Sequence, residues 1–338
     1  MHYRTLGRTG LRVSEIGMGG ISAAGKYGPI VPEGAGPEML RPHAFNNVEL
    51  FAVVPEVFAV TMSQASAAGF NFIDTAPSYG DSEAVFGHYL KEHREKWLLC
   101  TKIGTCGNWG DGRLPSREEI VTQVHDSLAR LQVEQLDVLL IHSLDQYGKG
   151  EEAAARVLTG GMVEVMRELQ QNGTVRFIGV SGQLPELVPA VKSGAFDVVL
   201  TYNSFNLLIQ DAQRELFPLA RQMNVGVILG GAFYQGLLTG NPEFVLKKKE
   251  QFFETTDPAY YETQELVARV ERLTDFVGGD AGALRRLALR FALTDPAVSV
   301  VVSGMQDTEE VKENEAAAEP GPLTDAEIEE VMNVVKGK

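Results

Sequence analysis

Cysteine is scarce in this 338-residue sequence, with Cys100 and Cys106 its two examples. They form no CxxC pair and cannot build a disulfide framework, so both read as free thiols of a reducing compartment. Long apolar runs are missing as well. The stretch from Phe51 to Val60 is broken by Pro55 and Glu56, and nothing approaches the roughly 18 uninterrupted residues of a membrane span. Met1-His2-Tyr3-Arg4 lacks the apolar run of a signal peptide, so a soluble cytoplasmic protein is expected. Basic residues are outnumbered, 30 against 45 acidic, for a formal charge of -15. That balance argues against a nucleic-acid binder, which needs a basic stripe to neutralise phosphates. The six histidines (His2, His43, His88, His93, His125 and His142) show no HxH or HExxH pairing, so no metal site is expected. A hydrophobic content of 44% with 22% charged residues excludes wholesale disorder.

What is present is an alternation of short β-branched runs with amphipathic stretches. Strands are expected at Val13–Gly17, Phe70–Ile73, Trp97–Lys102, Leu136–Ile141, Val175–Val180, Phe196–Thr201, Val225–Leu229 and Val298–Val302. Most are continuously apolar, as for strands buried on both faces of a parallel sheet. Helices fit between them at 51–68, 82–94, 116–130, 153–172, 184–193, 211–223 and 281–293. Ser116-Arg117-Glu118-Glu119 has capping-box spacing, and Asn172-Gly173 supplies a helix stop. Read this way, Asn172-Gly173-Thr174 is a turn rather than a glycosylation sequon.

Eight βα alternations without a compositional break predict an α/β fold, a (β/α)8 TIM barrel, as one domain spanning residues 1–338. Gly17-Met18-Gly19-Gly20 lacks the GxGxxG spacing of a doubly wound dinucleotide sheet. Three additions to the minimal barrel are expected. Residues 2–12, with Arg8-Thr9-Gly10 as the turn, form a hairpin plugging one end. Residues 25–50 form a long insertion after the first strand, and 307–336 add two acidic helices broken at Pro320-Gly321-Pro322. Loops after barrel strands lie on the catalytic face, so the insertion is part of the site, a lid over it, or a surface excursion or oligomer contact.

Polar residues stand at the carboxyl ends of successive strands: Asp74 after Phe72-Ile73, with Tyr79 in the same loop, Lys102 after Leu99-Cys100-Thr101, and His142 after Leu139-Leu140-Ile141. Singly, Tyr79 reads as a loop aromatic, His142 as a satisfied core histidine, and Asp74 with Lys102 as a structural ion pair. Together they suit proton transfer at a carbonyl or alcohol. A lysine ammonium favours phenolate on a nearby tyrosine, and a carboxylate behind the lysine keeps it charged.

Phe72-Ile73-Asp74-Thr75-Ala76-Pro77-Ser78-Tyr79-Gly80-Asp81-Ser82-Glu83 resembles the signature of the aldo-keto reductase superfamily. The resemblance runs over nearly the whole chain, from Arg4-Thr5-Leu6-Gly7-Arg8-Thr9-Gly10-Leu11 through Gly179-Val180-Ser181-Gly182 and Gly236-Leu237-Leu238-Thr239-Gly240 to Glu310–Asn314. Within the superfamily the sequence is most similar to the branch of galactose- or fucose-type aldose dehydrogenases and pyridoxal dehydrogenase. The resemblance implies that Tyr79 is the acid/base, Lys102 its tuner, Asp74 the holder of Lys102, and His142 the orienter of substrate oxygen. It also implies a nicotinamide cofactor across the barrel mouth. Ser181 matches the residue that bonds the carboxamide, although the usual Asn neighbour is Gly182 and the usual glutamine is Leu200. A planar residue that often stacks on nicotinamide is replaced by Gly230. Gly231, Phe233, Gly236 and Leu237 match a loop over the pyrophosphate, and Gly304, Gln306, Glu310 and Asn314 match the adenosine-binding stretch. Trp109, Tyr202 and Tyr234 are candidates for the substrate wall, with Phe205 a further one, or else packing residues. Lys247-Lys248-Lys249 reads as a solvated basic run or a helper for cofactor phosphates.

Where members that prefer NADP carry arginine, this chain has Gln306, flanked by Asp307, Glu309 and Glu310. A 2′-phosphate there would meet like charge unless a cation reaches in from elsewhere, so NAD is expected over NADP. Between residues 307 and 330 there are ten acids and one base, so the acidity concentrates where adenosine is expected. The expected function is oxidation of an aldose to a lactone, or the same hydride chemistry in reverse on an aldehyde or ketone. The expected partner is a small carbonyl or sugar substrate. Two other classes stay open: a nucleotide-binding regulatory subunit like the potassium-channel beta subunits that share this fold, and a lyase or isomerase using the tetrad for proton transfer alone. The sequence carries no signal of oligomeric state.

Overall fold

A computed structural model describes residues 1–40, 43–45, 48–104, 112–241 and 259–338. Eight parallel strands close into a barrel: β1 (Ile16–Gly19), β2 (Phe72–Asp74), β3 (Leu98–Ile103), β4 (Leu136–Ile141), β5 (Val175–Gly182), β6 (Val198–Tyr202), β7 (Gly226–Gly230) and β8 (Val298–Ser303). Each pairs with the next, and β8 pairs with β1 through Val301↔Ile16 to close the ring. The eight-stranded barrel with surrounding helices is the expected TIM architecture.

The continuous apolarity of the strands has a direct cause. Successive side chains alternate across a strand, and here both faces are dry. Outward residues such as Ile73, Leu99, Leu139, Ile178 and Val199 pack into the large core under the helices. Inward residues Phe72, Cys100, Val138, Leu140, Val198, Leu200, Ile228 and Val300 form a second core inside the barrel. Leu6, Leu11 and Val13 of the N-terminal hairpin complete that inner core, so the hairpin is the plug at one end. Between β7 and β8 the register shifts: Val227 faces Val298 but Ile228 faces Val300, leaving Ser299 as the extra residue of a bulge.

The expected strand boundaries need correcting in two ways. Val13 and Ser14 belong to the hairpin strand Arg12–Ser14, which pairs antiparallel with Tyr3–Thr5, and the barrel strand starts at Ile16. Glu15 separates the two, its carboxylate bonded to the Arg4 guanidinium at 2.6 Å. Six of the remaining seven strands extend one or two residues further toward the carboxyl end than expected. A polar residue reads as a strand end in sequence, yet Asp74 and Ser181, beyond the expected ends, are ladder residues of the barrel's last layers.

Around the barrel the helices run at Pro55–Ala67, Ser82–His93, Arg117–Leu131, Gly150–Thr159, Met162–Gln171, Leu184–Lys192, Leu216–Met223, Ala259–Phe276 and Ala281–Ala292. The Ser116 capping box forms in both directions. The single helix expected over 153–172 is two, parted at Gly160-Gly161, where Gly161 has φ +88°. The helix Ala259–Phe276 was not anticipated, and 211–223 narrows to a 3-10 turn plus Leu216–Met223. The two acidic helices at the end are Thr308–Ala318 and Asp325–Val335, with the expected break between them. The short helix Gly20–Ala23 leads from β1 into the insertion at 25–50, which contains a two-stranded hairpin, His43–Phe45 with Val48–Leu50. Among the described residues, no helix is long and apolar enough to cross a membrane.

Candidate active site

The inward stack of each strand ends at the carboxyl mouth, and the tetrad is the layer where apolar filling gives way to polar groups. Phe72 is followed two residues on by Asp74, Cys100 by Lys102, and Leu140 by His142, each pair on one face of its strand line. Lys102 is 1% exposed and Asp74 5%. The ammonium spends its donors on Asp74 Oδ1 (2.8 Å), Asp74 Oδ2 (2.9 Å) and the Thr75 carbonyl (2.8 Å). Its Nζ lies 4.8 Å from the centroid of the half-buried Tyr79 ring. Burial opposes the charge on Lys102, but the Asp74 carboxylate and Tyr79 outweigh it, so its pKa is raised and it stays protonated.

His142 stacks edge-on against Tyr79, with ring centroids 5.6 Å apart at 81°. Ser78 Oγ lies 3.4 Å from its Nδ1. Burial, reinforced by the Lys102 charge, pushes the imidazole pKa down to about 3, so His142 is neutral at any working pH. The site therefore combines one fixed cation, its counter-ion, a phenol and a neutral imidazole. That set moves a proton at a substrate oxygen without placing a second cation beside the first.

The barrel mouth opens into a cleft of about 710 Å³. Asp74, Tyr79, Leu200 and Tyr202 line one end, and Gly304, Gln306, Glu310 and Asn314 line the other. Gly231, Phe233 and Gly236 line it between. Of the described candidate residues, Lys102, His142, Ser181, Gly182, Phe205, Tyr234 and Leu237 do not; Lys102, His142 and Phe205 are buried beneath the lining. Ser181 is buried, its Oγ accepting from the Ser143 N–H at 3.0 Å. A Cβ on Gly182 would stand 3.1 Å from Leu144 N, so the close approach of that loop favours glycine. Leu237 is core, and Tyr234 packs partly buried against the core. Trp109, Cys106 and Lys247-Lys248-Lys249 lie outside the described residues. Among the described residues, no group of His, Cys, Asp and Glu is placed to hold a metal ion.

The far end of the cleft has a definite chemistry. Gln306 turns its amide to the Gly28 carbonyl (3.1 Å), and its N–H goes to Glu310 Oε2 (2.6 Å). Asp307 caps the following helix by accepting from the N–H groups of Glu309 and Glu310, both at 2.9 Å. Two of the donors that a helix start offers to an anion are thus taken by the Asp307 carboxylate. Desolvation and the neighbours Asp307 and Glu313 hold the Glu310 carboxyl above its usual range, despite the Gln306 N–H. Two buried polar atoms on the cleft wall, Ser303 Oγ and Asn314 Oδ1, find no hydrogen-bond partner in the protein. Sequence reading missed Tyr27, Arg285 and Arg286 in the lining. Tyr27 is the second residue past the expected start of the insertion at 25. Arg285 and Arg286 sit on a helix whose amphipathic pattern gives no sign of which end faces the mouth.

A barrel whose mouth carries a buried lysine–carboxylate pair beside a tyrosine and an uncharged histidine has the groups that proton transfer at a carbonyl or alcohol calls for. The family model described as the aldo/keto reductase family matches residues 45–336, and the chain belongs to that family of oxidoreductases. L-galactose dehydrogenase of Arabidopsis thaliana is 28% identical over 330 residues, covering 94% of this chain and 88% of that protein. Pyridoxal 4-dehydrogenase of Microbacterium luteolum is 25% identical over 345 residues, covering 92% and 91%. Among solved structures, the aldo-keto reductase AKR11C1 from Bacillus halodurans superposes with a TM-score of 0.69 at 24% identity, covering 99% of this chain and 96% of that one. The glycerol dehydrogenase AKR11B4 from Gluconobacter oxydans gives 0.67 at 22% identity, covering 99% and 95%. These two show the shared fold.

Proposed function

We propose that this oxidoreductase uses NAD to oxidise the anomeric carbon of an aldose to a lactone, or runs the same chemistry toward a small aldehyde or alcohol. The observation that carries the reading is the buried Lys102–Asp74 pair beneath Tyr79, facing neutral His142 at one end of the cleft. The similarity to L-galactose dehydrogenase and pyridoxal 4-dehydrogenase supports the substrate class.

The cleft fits a nicotinamide dinucleotide. Its lining joins Asp74 and Tyr79 to the polar Gln306, Glu310 and Asn314, glycines form part of its wall, and Ser303 Oγ and Asn314 Oδ1 have no partner in the protein. Such a cofactor, when bound, supplies the acceptor or donor of hydride. Gly231, Phe233 and Gly236, with the cation Arg286, would hold its pyrophosphate, and Gly304, Glu310 and Asn314 its adenosine. In oxidation, Tyr79 Oη takes the proton from the anomeric hydroxyl as the C–H electron pair departs and the C=O bond forms. Lys102 stabilises negative charge on that phenol oxygen. His142, being neutral, bonds the same substrate oxygen and orients the carbon. Asp74 keeps Lys102 charged and positioned. In reduction each step reverses, with Tyr79 returning the proton.

NAD is favoured over NADP because the acidic end offers no spare anion site: Asp307 fills the helix start and Glu310 faces the cleft. Arg285 is engaged by Glu313 at 2.7 and 2.8 Å and by the Thr239 carbonyl. The test is a panel of aldoses, pyridoxal and simple aldehydes with both cofactors, followed by the absorbance of reduced nicotinamide. Turnover with NAD that falls at least about a hundredfold in Tyr79→Phe is expected. A strong NADP preference overturns the cofactor reading. Product formed without change in reduced cofactor marks a lyase or isomerase, and binding without turnover marks a regulatory subunit.

A further inference from the structure

Segment 25–50 reads in sequence as a substrate lid, a surface excursion or an oligomer contact, and its described residues show where it docks. Gly28 accepts from the Gln306 side chain at 3.1 Å. Ile30 bridges to Val53, and the Phe51 N–H donates to the Gly25 carbonyl at 2.9 Å, closing the base of the segment. Tyr27 lies over Gly304: a Cβ built there would stand 3.4 Å from Tyr27 Cε2. At 51% exposure Tyr27 is among the few large apolar side chains left open, and it lines the cleft.

The cleft end beside it asks for a particular ligand. An uncovered aromatic face gains most from a flat π-system laid against it. Asn314 Oδ1, on a side chain 5% exposed, is an acceptor without a donor, suited to an exocyclic amino group. Glu310, at the same end, suits sugar hydroxyls as donors. An amino-bearing purine on a ribose satisfies all three. Tyr27 is neutral in this role, since desolvation of its hydroxyl and the nearby Glu310 both raise its pKa.

We propose that Tyr27 is the aromatic wall of the purine end of the cleft, so that segment 25–50 helps to retain the dinucleotide through this residue. This deepens the proposed function and rests on its reading of the cleft as a dinucleotide site. The test measures binding by calorimetry, with NAD⁺ and with adenosine monophosphate, for the wild type, Tyr27→Ala and Tyr27→Phe. Stacking against an aromatic side chain predicts that Tyr27→Ala weakens both ligands roughly tenfold or more. Tyr27→Phe keeps the ring and stays within about twofold. The substrate KM at saturating cofactor is unchanged, and thermal unfolding of each variant verifies the fold. Equal binding by wild type and Tyr27→Ala, or a change confined to substrate KM, overturns the role of Tyr27 alone. A wild type that binds neither NAD⁺ nor adenosine monophosphate overturns the dinucleotide reading, and this inference with it.

Discussion

Replacing Lys102 by methionine keeps all but the last atom of its reach and removes its charge, which largely separates packing from electrostatics. The ammonium lies 4.8 Å from the Tyr79 ring centroid. At an effective dielectric of about 20, a unit charge at that distance stabilises phenolate by about 3 kcal/mol. Asp74, bonded to the same ammonium, offsets part of this and leaves roughly 1–3 kcal/mol, or about a 5- to 150-fold loss of kcat/KM at neutral pH. Lys102→Met also strands a buried carboxylate, since Asp74 is 5% exposed. Breaking such a pair from one side costs about 3–5 kcal/mol of stability. The double variant Asp74→Asn/Lys102→Met removes both charges and relieves most of that cost, while the tyrosine still lacks its cation. The assay is kcat/KM against pH for wild type, single and double variants, with urea unfolding alongside. Both variants are expected to lose activity, with the tyrosine-dependent limb moved to higher pH and the double variant more stable than the single. A folded double variant with wild-type kcat/KM and an unmoved pH profile would refute the electrostatic role of Lys102.

Two further perturbations test the frame around the site. His142 has its folded pKa pushed down to about 3, below that of the unfolded chain. The unfolded state therefore binds the extra proton between the two values, and stability present above about pH 6.5 is lost as pH falls toward 3. Lowering pH from 7.5 to 5 removes about 2 kcal/mol through this group, so urea titrations should show His142→Asn losing less than wild type over that interval. An equal loss in both proteins would contradict a buried neutral imidazole. Gly7 in the plug has φ +49°, and a Cβ there would stand 2.2 Å from Gly226 N at the start of β7. Gly7→Ala must shift backbone and is expected to lower stability by about 2 kcal/mol or more, read as a lower urea midpoint. A midpoint unchanged in Gly7→Ala would mean that the plug does not press on the barrel there.

The sequence by itself determined the barrel and the tetrad. Both depend on local order along the chain. Buried strands need unbroken apolar runs, and the mouth of a barrel is where each run meets its first polar residue, so Asp74, Lys102 and His142 stand out in one dimension. The plug was legible for the same reason, since Leu6 and Leu11 flank a Gly-containing turn, although the boundary at Glu15 depended on its partner Arg4. Tertiary structure alone decided what the cleft consists of. Its far end joins Tyr27 and Gly28 to Gln306, residues 278 positions apart in the case of Gly28 and Gln306. Helix Ala281–Ala292 contributes Arg285 and Arg286. A side chain's exposure to a cleft depends on what packs behind it, and neither hydrophobic periodicity nor motif spacing encodes that. The same limit explains why Ser181, Gly182 and Leu237, which matched the resemblance, and Tyr234, a candidate for the substrate wall, do not line the cleft. Identity in a motif follows the chain, whereas access to a ligand follows the packing.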